Sequence, residues 1–260
     1  YLILNQSNME EFFKNRGVSL RLLGKMTRSF YNQIFEKVNK IIVPDFPPPY
    51  TVCRKNLNFR GKVQEKVFYS GPLLREKYEE VEQIPLKKPH IVSLIGGFGY
   101  REPILKKVIE TAKLDTSINY TLISGPSLDP LKLADLPENV ELLKFIEDTY
   151  PYMKGSDAVI APGGHSTIIE ALSFGIPILS FPDKEHSEQE NNSEVIEEEG
   201  YGRMLSYSTP PEVVLECIRE VLEEERYRNK TQRLRRLARE LNGPSAVREM
   251  LEKEFKEKAF

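Results

Sequence analysis

The sequence predicts an α/β protein built on a doubly wound parallel sheet. Three observations predict it. From His90 onward, short apolar runs alternate with stretches of helical character. The runs are nearly continuous Val, Ile and Leu, as in strands buried on both faces of a parallel sheet. Two of the junctions from strand to helix are glycine loops, Gly96–Gly99 and Gly163-Gly164, placed where such folds bind their ligands.

The 260 residues, 40% hydrophobic and 29% charged, are enough for one large domain or two modest ones with real cores. The 37 basic and 39 acidic residues give a net charge of −2, so there is no electrostatic case for a nucleic-acid partner. Cys53 and Cys217 stand far apart and form no metal-ligand spacing; they read as free thiols of a reducing compartment. No apolar run approaches the ~18 residues of a membrane span, and no secretory signal pattern is present. The expected location is cytoplasmic.

Tyr1-Leu2-Ile3-Leu4 reads as a core strand entered in its middle, which leads us to expect an N-terminal part before it. Asn5-Gln6-Ser7-Asn8 suits turn chemistry. Ser19 to Val38 is predicted helical, because Leu22, Leu23, Met26, Phe30, Ile34 and Val38 recur at helical spacing. With Arg16, Arg21, Lys25 and Arg28 near its start, this helix could touch an anionic membrane; a core-facing helix with a solvated charged side is the favoured expectation. Lys40 to Val43 is a strand stopped by Pro44, and the proline-rich stretch to Tyr50 is expected to be stiff and extended. Lys66 to Tyr69 is a further strand. A hinge is expected between Gly71 and Pro89, where Glu, Lys and Pro dominate.

In the second half, strands are expected at His90–Ile95, Tyr120–Ile123, Val140–Leu143, Ala158–Ala161 and Ile178–Phe181. Pro162-Gly163-Gly164 forces a turn. Ser166 or Thr167 can cap the helix that follows, and Gly175 with Pro177 ends it. Pro210 to Leu222 reads as an amphipathic helix. Glu223 to Phe260 is charged and helical, broken at Asn242-Gly243-Pro244, with its charges expected on a solvated face.

The stretch after Ala161 carries the chemistry. A glycine turn feeding a helix start is an anion site, because the first amides are unpaired and the dipole adds about half a positive charge. Ser166 and Thr167 add hydroxyl donors. Glu170 lies one turn further along the same face, where a carboxylate suits the vicinal hydroxyls of a ribose. Phosphate first and ribose one turn on is the order of groups in a nucleotide. The Gly96–Gly99 loop departs from the dinucleotide fingerprint, having no third glycine at the required spacing and no acidic residue ending the next strand.

Phe145-Ile146-Glu147-Asp148, Tyr152, Ser156-Asp157, Gly164 to Thr167, Glu170, Gly175, Pro177, Pro182, Gln189 and Asn192 together resemble the donor site of glycosyltransferases with the GT-B fold. They are most similar to the family 28-like group containing the bacterial enzyme that adds N-acetylglucosamine to a lipid-linked cell-wall precursor. The resemblance implies a Rossmann-like C-terminal domain over residues 90–240, a linker over 76–89, the remainder of a Rossmann-like acceptor-side domain over 1–75, and a C-terminal helix over 241–260 that crosses back. It implies a diphosphate held by Gly96, Gly97, Phe98 and Gly99 on one side and by Gly164, His165, Ser166 and Thr167 on the other. Phe145 and Ile146 would take the base, Glu170 the ribose, and His186, Glu188, Gln189 and Asn192 the donor sugar, with Arg75 at the cleft.

The reaction implied is inverting transfer of N-acetylglucosamine or another hexose from a UDP-sugar to an unknown acceptor, lipid-linked or another glycan, with peripheral membrane contact. The chain contains no Asp-x-Asp, which fits a site without metal or other cofactor, where a helix end does what a divalent ion does elsewhere. The His-Glu pair that the bacterial enzyme carries after its first-domain strand is missing, so no catalytic base is assigned. Two further readings stay open: a donor-binding module inactive without an N-terminal half or a partner, and a nucleotide-sugar epimerase.

Overall fold

The computed structural model describes residues 1–8, 18–96, 99–127 and 135–258. Two parallel sheets organise them. The first has three short strands, β1 (Leu2–Ile3), β2 (Ile41–Val43) and β3 (Val67–Tyr69), in the order β1-β2-β3. The second has six, β4 (His90–Leu94), β5 (Asn119–Ile123), β6 (Val140–Leu143), β7 (Ala158–Ala161), β8 (Ile178–Ser180) and β9 (Gly202–Met204), in the order β6-β5-β4-β7-β8-β9. Every described pairing is parallel. The chain winds outward from β4 to β6, then returns to β7 and winds the other way. The switch point therefore lies between β4 and β7, and ligands of such sheets bind beyond the carboxyl ends of strands at that crevice. Gly96 and the Gly163-Gly164 turn sit there.

Helices cover both faces, as a parallel sheet requires. On one side, α2 (Glu102–Leu114) and α6 (Pro211–Glu223) bury Leu105, Val108, Val214 and Ile218 against Ile91, Leu122 and Ile160. On the other, α3 (Tyr150–Gly155), α4 (His165–Phe174) and α7 (Glu225–Leu241) bury Met153, Ile168, Leu172 and Leu234 against Val92, Val159 and Ile178. Strand β9, which the sequence reading passed over, is too short and polar to announce itself. It depends on Gly202, because a Cβ there would meet the Ile178 carbonyl oxygen at 1.7 Å.

The first sheet docks on the second through a 3-10 turn, Val52–Asn56, which packs against α5 (Ser187–Glu199). Lys55 Nζ reaches Glu194 Oε2 at 2.7 Å and Glu198 Oε1 at 2.5 Å. The last helix, α8 (Gly243–Lys258), runs back to the first sheet, where Lys40 Nζ lies 3.9 Å from Glu254 and the Tyr1 and Phe255 rings are 6.3 Å apart. Its start is pressed against the connecting segment: a Cβ on Gly243 would meet the Pro72 carbonyl oxygen at 2.2 Å.

Two expectations need correcting here. Helix α1 (Val18–Lys37) does not face the core along its length. Phe35, near the end of the helix, is buried with Ile41 and Val63, but Met26 and Phe30 are 64% and 62% exposed. The proline-rich stretch is not extended either: the Tyr50 N–H donates to the Pro47 carbonyl at 2.9 Å and closes a turn. No helix among the described residues is long and apolar enough to cross a membrane.

Candidate functional site

Helix α4 opens directly from the glycine turn. Its cap is Gly164, in extended backbone (φ −68°, ψ 133°), and no side chain caps it. The expected cap by Ser166 or Thr167 is thereby corrected. The helix begins at His165, two residues earlier than a cap at Ser166 would require, so both hydroxyl residues fall inside the first helical turn. Their amides are among those with no partner within the helix, which leaves the helix start open as an anion site. A Cβ on Gly164 would meet nothing within 4 Å, whereas one on Gly163 would lie 2.4 Å from both Gln189 O and Ser193 Oγ. Gly163 is thus required for packing, and Gly164 faces open space.

A cavity of about 210 Å³ lies between the carboxyl ends of β4 and β5 and the start of α4, with Gly96, Phe145, Ile146, Thr149, Thr167 and Glu170 among its lining residues. Phe145 is 63% exposed and lines the cavity. Glu170 is half-buried, and burial pushes its carboxyl group up, opposed by a hydrogen bond from Tyr150 and the charge of Arg75. The Tyr150 hydroxyl donates to Glu170 Oε1 at 3.3 Å. Gly96 has φ +74° and stands at the cavity edge, and Gly99 begins a short 3-10 turn. Gly97 and Phe98 lie outside the described residues.

Beyond the ends of β4 and β8 is a buried polar knot that the sequence reading missed. Asp183, just past β8, accepts from Arg101 Nη2 at 2.6 Å, Tyr207 Oη at 2.7 Å, Tyr100 Oη at 2.9 Å and Gln189 Nε2 at 3.1 Å. Arg101 Nη1 also donates to Ile95 O at 2.9 Å, tying the knot to the end of β4. Burial pushes the Asp183 carboxyl up, but the hydrogen bonds from Arg101, Tyr207 and Tyr100 and the Arg101 charge outweigh it and hold the group at about 2. The signal available in sequence was weak: two opposite charges 82 positions apart, each just beyond a strand end.

The residues expected around a donor sugar divide into two groups. His186 is exposed and precedes α5. Glu188 is half-buried and accepts from Asn5 Nδ2 of the first sheet at 3.1 Å. Gln189 and Asn192 are buried and engaged internally: Gln189 Oε1 accepts the Asp183 N–H at 2.9 Å, while Asn192 donates to Gly163 O at 3.1 Å and accepts from Asn56 at 2.8 Å. In this structure they brace the glycine turn and the Asp183 loop. Arg75 does not point freely into a cleft. It pairs with Asp148 at 2.7 Å, and its guanidinium lies 4.5 Å from the centre of the Tyr150 ring.

His165 also differs from expectation. It is buried, and its Nε2 is 3.1 Å from Oδ2 of Asp45, the second residue after β2. Asp45 is fully buried and accepts the backbone N–H groups of Phe46 at 2.7 Å and Cys53 at 2.8 Å. One ligand atom from each of Asp45, Cys53 and His165 lies within 4.8 Å of the others. Both carboxylate oxygens are already hydrogen-bonded, and burial followed by the charge of Asp45 pushes the Cys53 thiol far up, away from the thiolate that a metal needs. The cluster is a hydrogen-bonded junction between the two sheets.

The fold and the family are shared with known proteins. Residues 95–241 match the glycosyltransferase family 28 C-terminal domain. An uncharacterized glycosyltransferase of Methanosarcina acetivorans is 72% identical over the whole chain, which spans 68% of that protein. One of Methanosarcina mazei is 74% identical over 98% of the chain, spanning 67% of its own length. Among solved structures, the calicheamicin glycosyltransferase CalG4 superposes on 93% of the chain with a TM-score of 0.70 at 21% identity, and the chain spans 60% of it. The parallel α/β architecture is thus that of GT-B glycosyltransferases, and the chain belongs to the glycosyltransferases that carry a family 28 C-terminal domain.

Proposed function

We propose that the chain binds a UDP-sugar at the switch point of its second sheet and transfers the sugar, N-acetylglucosamine or another hexose, to an acceptor by an inverting, metal-independent route. The observation that carries this reading is the cavity that joins an exposed aromatic wall, a half-buried carboxylate and an open helix start in the order base, ribose and diphosphate. Phe145 and Ile146 flank the base, Glu170 takes the ribose hydroxyls, and the first amides of α4 with Ser166, Thr167 and the Gly96–Gly99 loop take the diphosphate.

The barrier to transfer is departure of the diphosphate as negative charge builds on its oxygens. Preorganised N–H groups at a helix end stabilise that charge without reorganising. Uridine is chosen on the family resemblance, as are inversion and a lipid-linked acceptor at the cytoplasmic face of a membrane. Glu188 stands where the first sheet meets α5 and is the residue of its group best placed to reach a donor sugar. The exposed apolar side of α1 is the surface that peripheral membrane contact would use.

Calorimetric titration with UDP, GDP and TDP in the absence of divalent metal tests the nucleotide site. Saturable UDP binding that is lost in Glu170→Ala supports it. Absence of binding to the wild-type chain, or equal binding by Glu170→Ala, refutes it.

A further inference from the structure

The group that reads the ribose does not stand alone. Tyr150 sits at the start of α3, and its position is fixed from four directions. Its backbone N–H donates to Asp148 Oδ1 at 3.0 Å, and its ring packs edge-on against Phe174 with centroids 5.1 Å apart. Arg75, arriving from the segment between the two sheets, covers the ring at 4.5 Å while its Nη2 bonds to the other oxygen of the same Asp148 at 2.7 Å. The hydroxyl then reaches Glu170 Oε1. The phenol is pushed well above its ordinary value, by burial and then by the Glu170 charge, so it remains a donor at any working pH. Glu170 Oε2 has no protein donor among the described residues, and the side chain lines the cavity.

We propose that Tyr150 is the positioning residue that makes this site select ribonucleotides over 2′-deoxyribonucleotides. It fixes one carboxylate oxygen of Glu170, so that the other is presented to the ribose hydroxyls. A glutamate has three rotatable bonds, and its carboxylate is broad about the last one. Anchored at Oε1, the group meets a 2′,3′-diol already in place, and the cost of ordering it on binding is removed in advance. A nucleotide lacking the 2′-hydroxyl forfeits a hydrogen bond to a charged acceptor. The neighbours of Tyr150 hold it there: Asp148 and Arg75 clamp its backbone and ring, so the chain segment that links the sheets also bears on the ribose contact. The inference rests on the donor-site reading above.

The test compares UDP with 2′-deoxy-UDP by calorimetry on the 260-residue chain, in wild type, Tyr150→Phe and Glu170→Gln. Wild type should prefer UDP by about tenfold or more, the range of a hydrogen bond to a charged group. Tyr150→Phe keeps the ring that Phe174 and Arg75 pack on. It should weaken UDP about fivefold to tenfold, leave 2′-deoxy-UDP within about twofold, and so collapse the preference. Glu170→Gln should collapse it too, and the double variant should show no further loss, because the two residues act as one unit.

A purely structural role for Tyr150 predicts the same loss for both nucleotides, which would overturn the proposal. So would a wild type that binds UDP and 2′-deoxy-UDP equally, although the donor site itself would then stand. A wild type that binds neither nucleotide removes the donor site and this proposal together. If Tyr150→Phe does not fold, Arg75→Ala, which removes the clamp on the Tyr150 ring, decides instead: a reduced preference for UDP supports the proposal and an unchanged one refutes it.

Discussion

Asp183 gives the sharpest test of the physical picture. Burial pushes its carboxyl up, but hydrogen bonds from Arg101, Tyr207 and Tyr100 and the Arg101 charge outweigh it and hold the group at about 2 against an ordinary 3.8. A folded value below the unfolded one means that the unfolded chain takes up the proton first as pH falls. The stabilisation is therefore complete above about pH 4 and is lost as pH drops towards 2; it amounts to about 2 kcal/mol, of which about 1 kcal/mol is gone by pH 3. The group is almost sealed from solvent, so screening takes little of this away. Denaturant unfolding followed from pH 6 to pH 3 should show a shallower loss of stability in Asp183→Asn than in wild type, by about 1 kcal/mol over that range. Asp115, also held at about 2, chiefly by Ser117 and Arg219, contributes equally to both proteins and cancels. At neutral pH the variant should be less stable by about 3 kcal/mol or more, since Arg101 is left buried without its counter-charge. Tyr207→Phe, which deletes one donor and leaves the ion pair, should flatten the profile in the same direction by a smaller amount. Identical pH profiles for wild type and Asp183→Asn would refute the reasoning.

Gly163→Ala places a Cβ 2.4 Å from a carbonyl oxygen that cannot retreat, so it should cost about 1–3 kcal/mol in chemical denaturation and weaken UDP binding as α5 is forced away from the turn. Phe145→Ala should leave stability within about 0.5 kcal/mol, because the ring is exposed, yet lower UDP affinity several-fold in the same titration. Lys55→Ala removes ion pairs whose partners on α5 are half in water, and should change the unfolding free energy by less than about 1 kcal/mol.

Five strands of the second sheet were legible in the sequence because they are short apolar runs, most of them bounded by glycine or proline; β9, short and polar, was not. One wall of the cavity was legible from helix geometry: Thr167 and Glu170, one turn apart, fall on one face of α4, and both line it. What escaped depends on contacts between residues distant in the chain. Asp183 and Arg101 meet only because β4 and β8 flank β7. His165 pairs with Asp45 only because the two sheets dock, and no local pattern tells a phosphate-facing histidine from one turned to a buried carboxylate 120 positions away. Gln189 and Asn192 matched the spacing of a sugar site, yet buried amides must find partners, and here they find them within the protein. Tyr150 was hidden beside Tyr152, since nothing in the sequence distinguishes which ring reaches Glu170.

The central claim is that the cavity at the switch point holds a uridine nucleotide with its phosphates on α4. A crystal structure of the chain soaked with UDP tests it most directly. The expected result is uracil against Phe145 and Ile146, ribose hydroxyls on Glu170, and the diphosphate at the amides of residues 164–167. Density for UDP elsewhere on the molecule, or in this cavity with the phosphates turned away from α4, would contradict it.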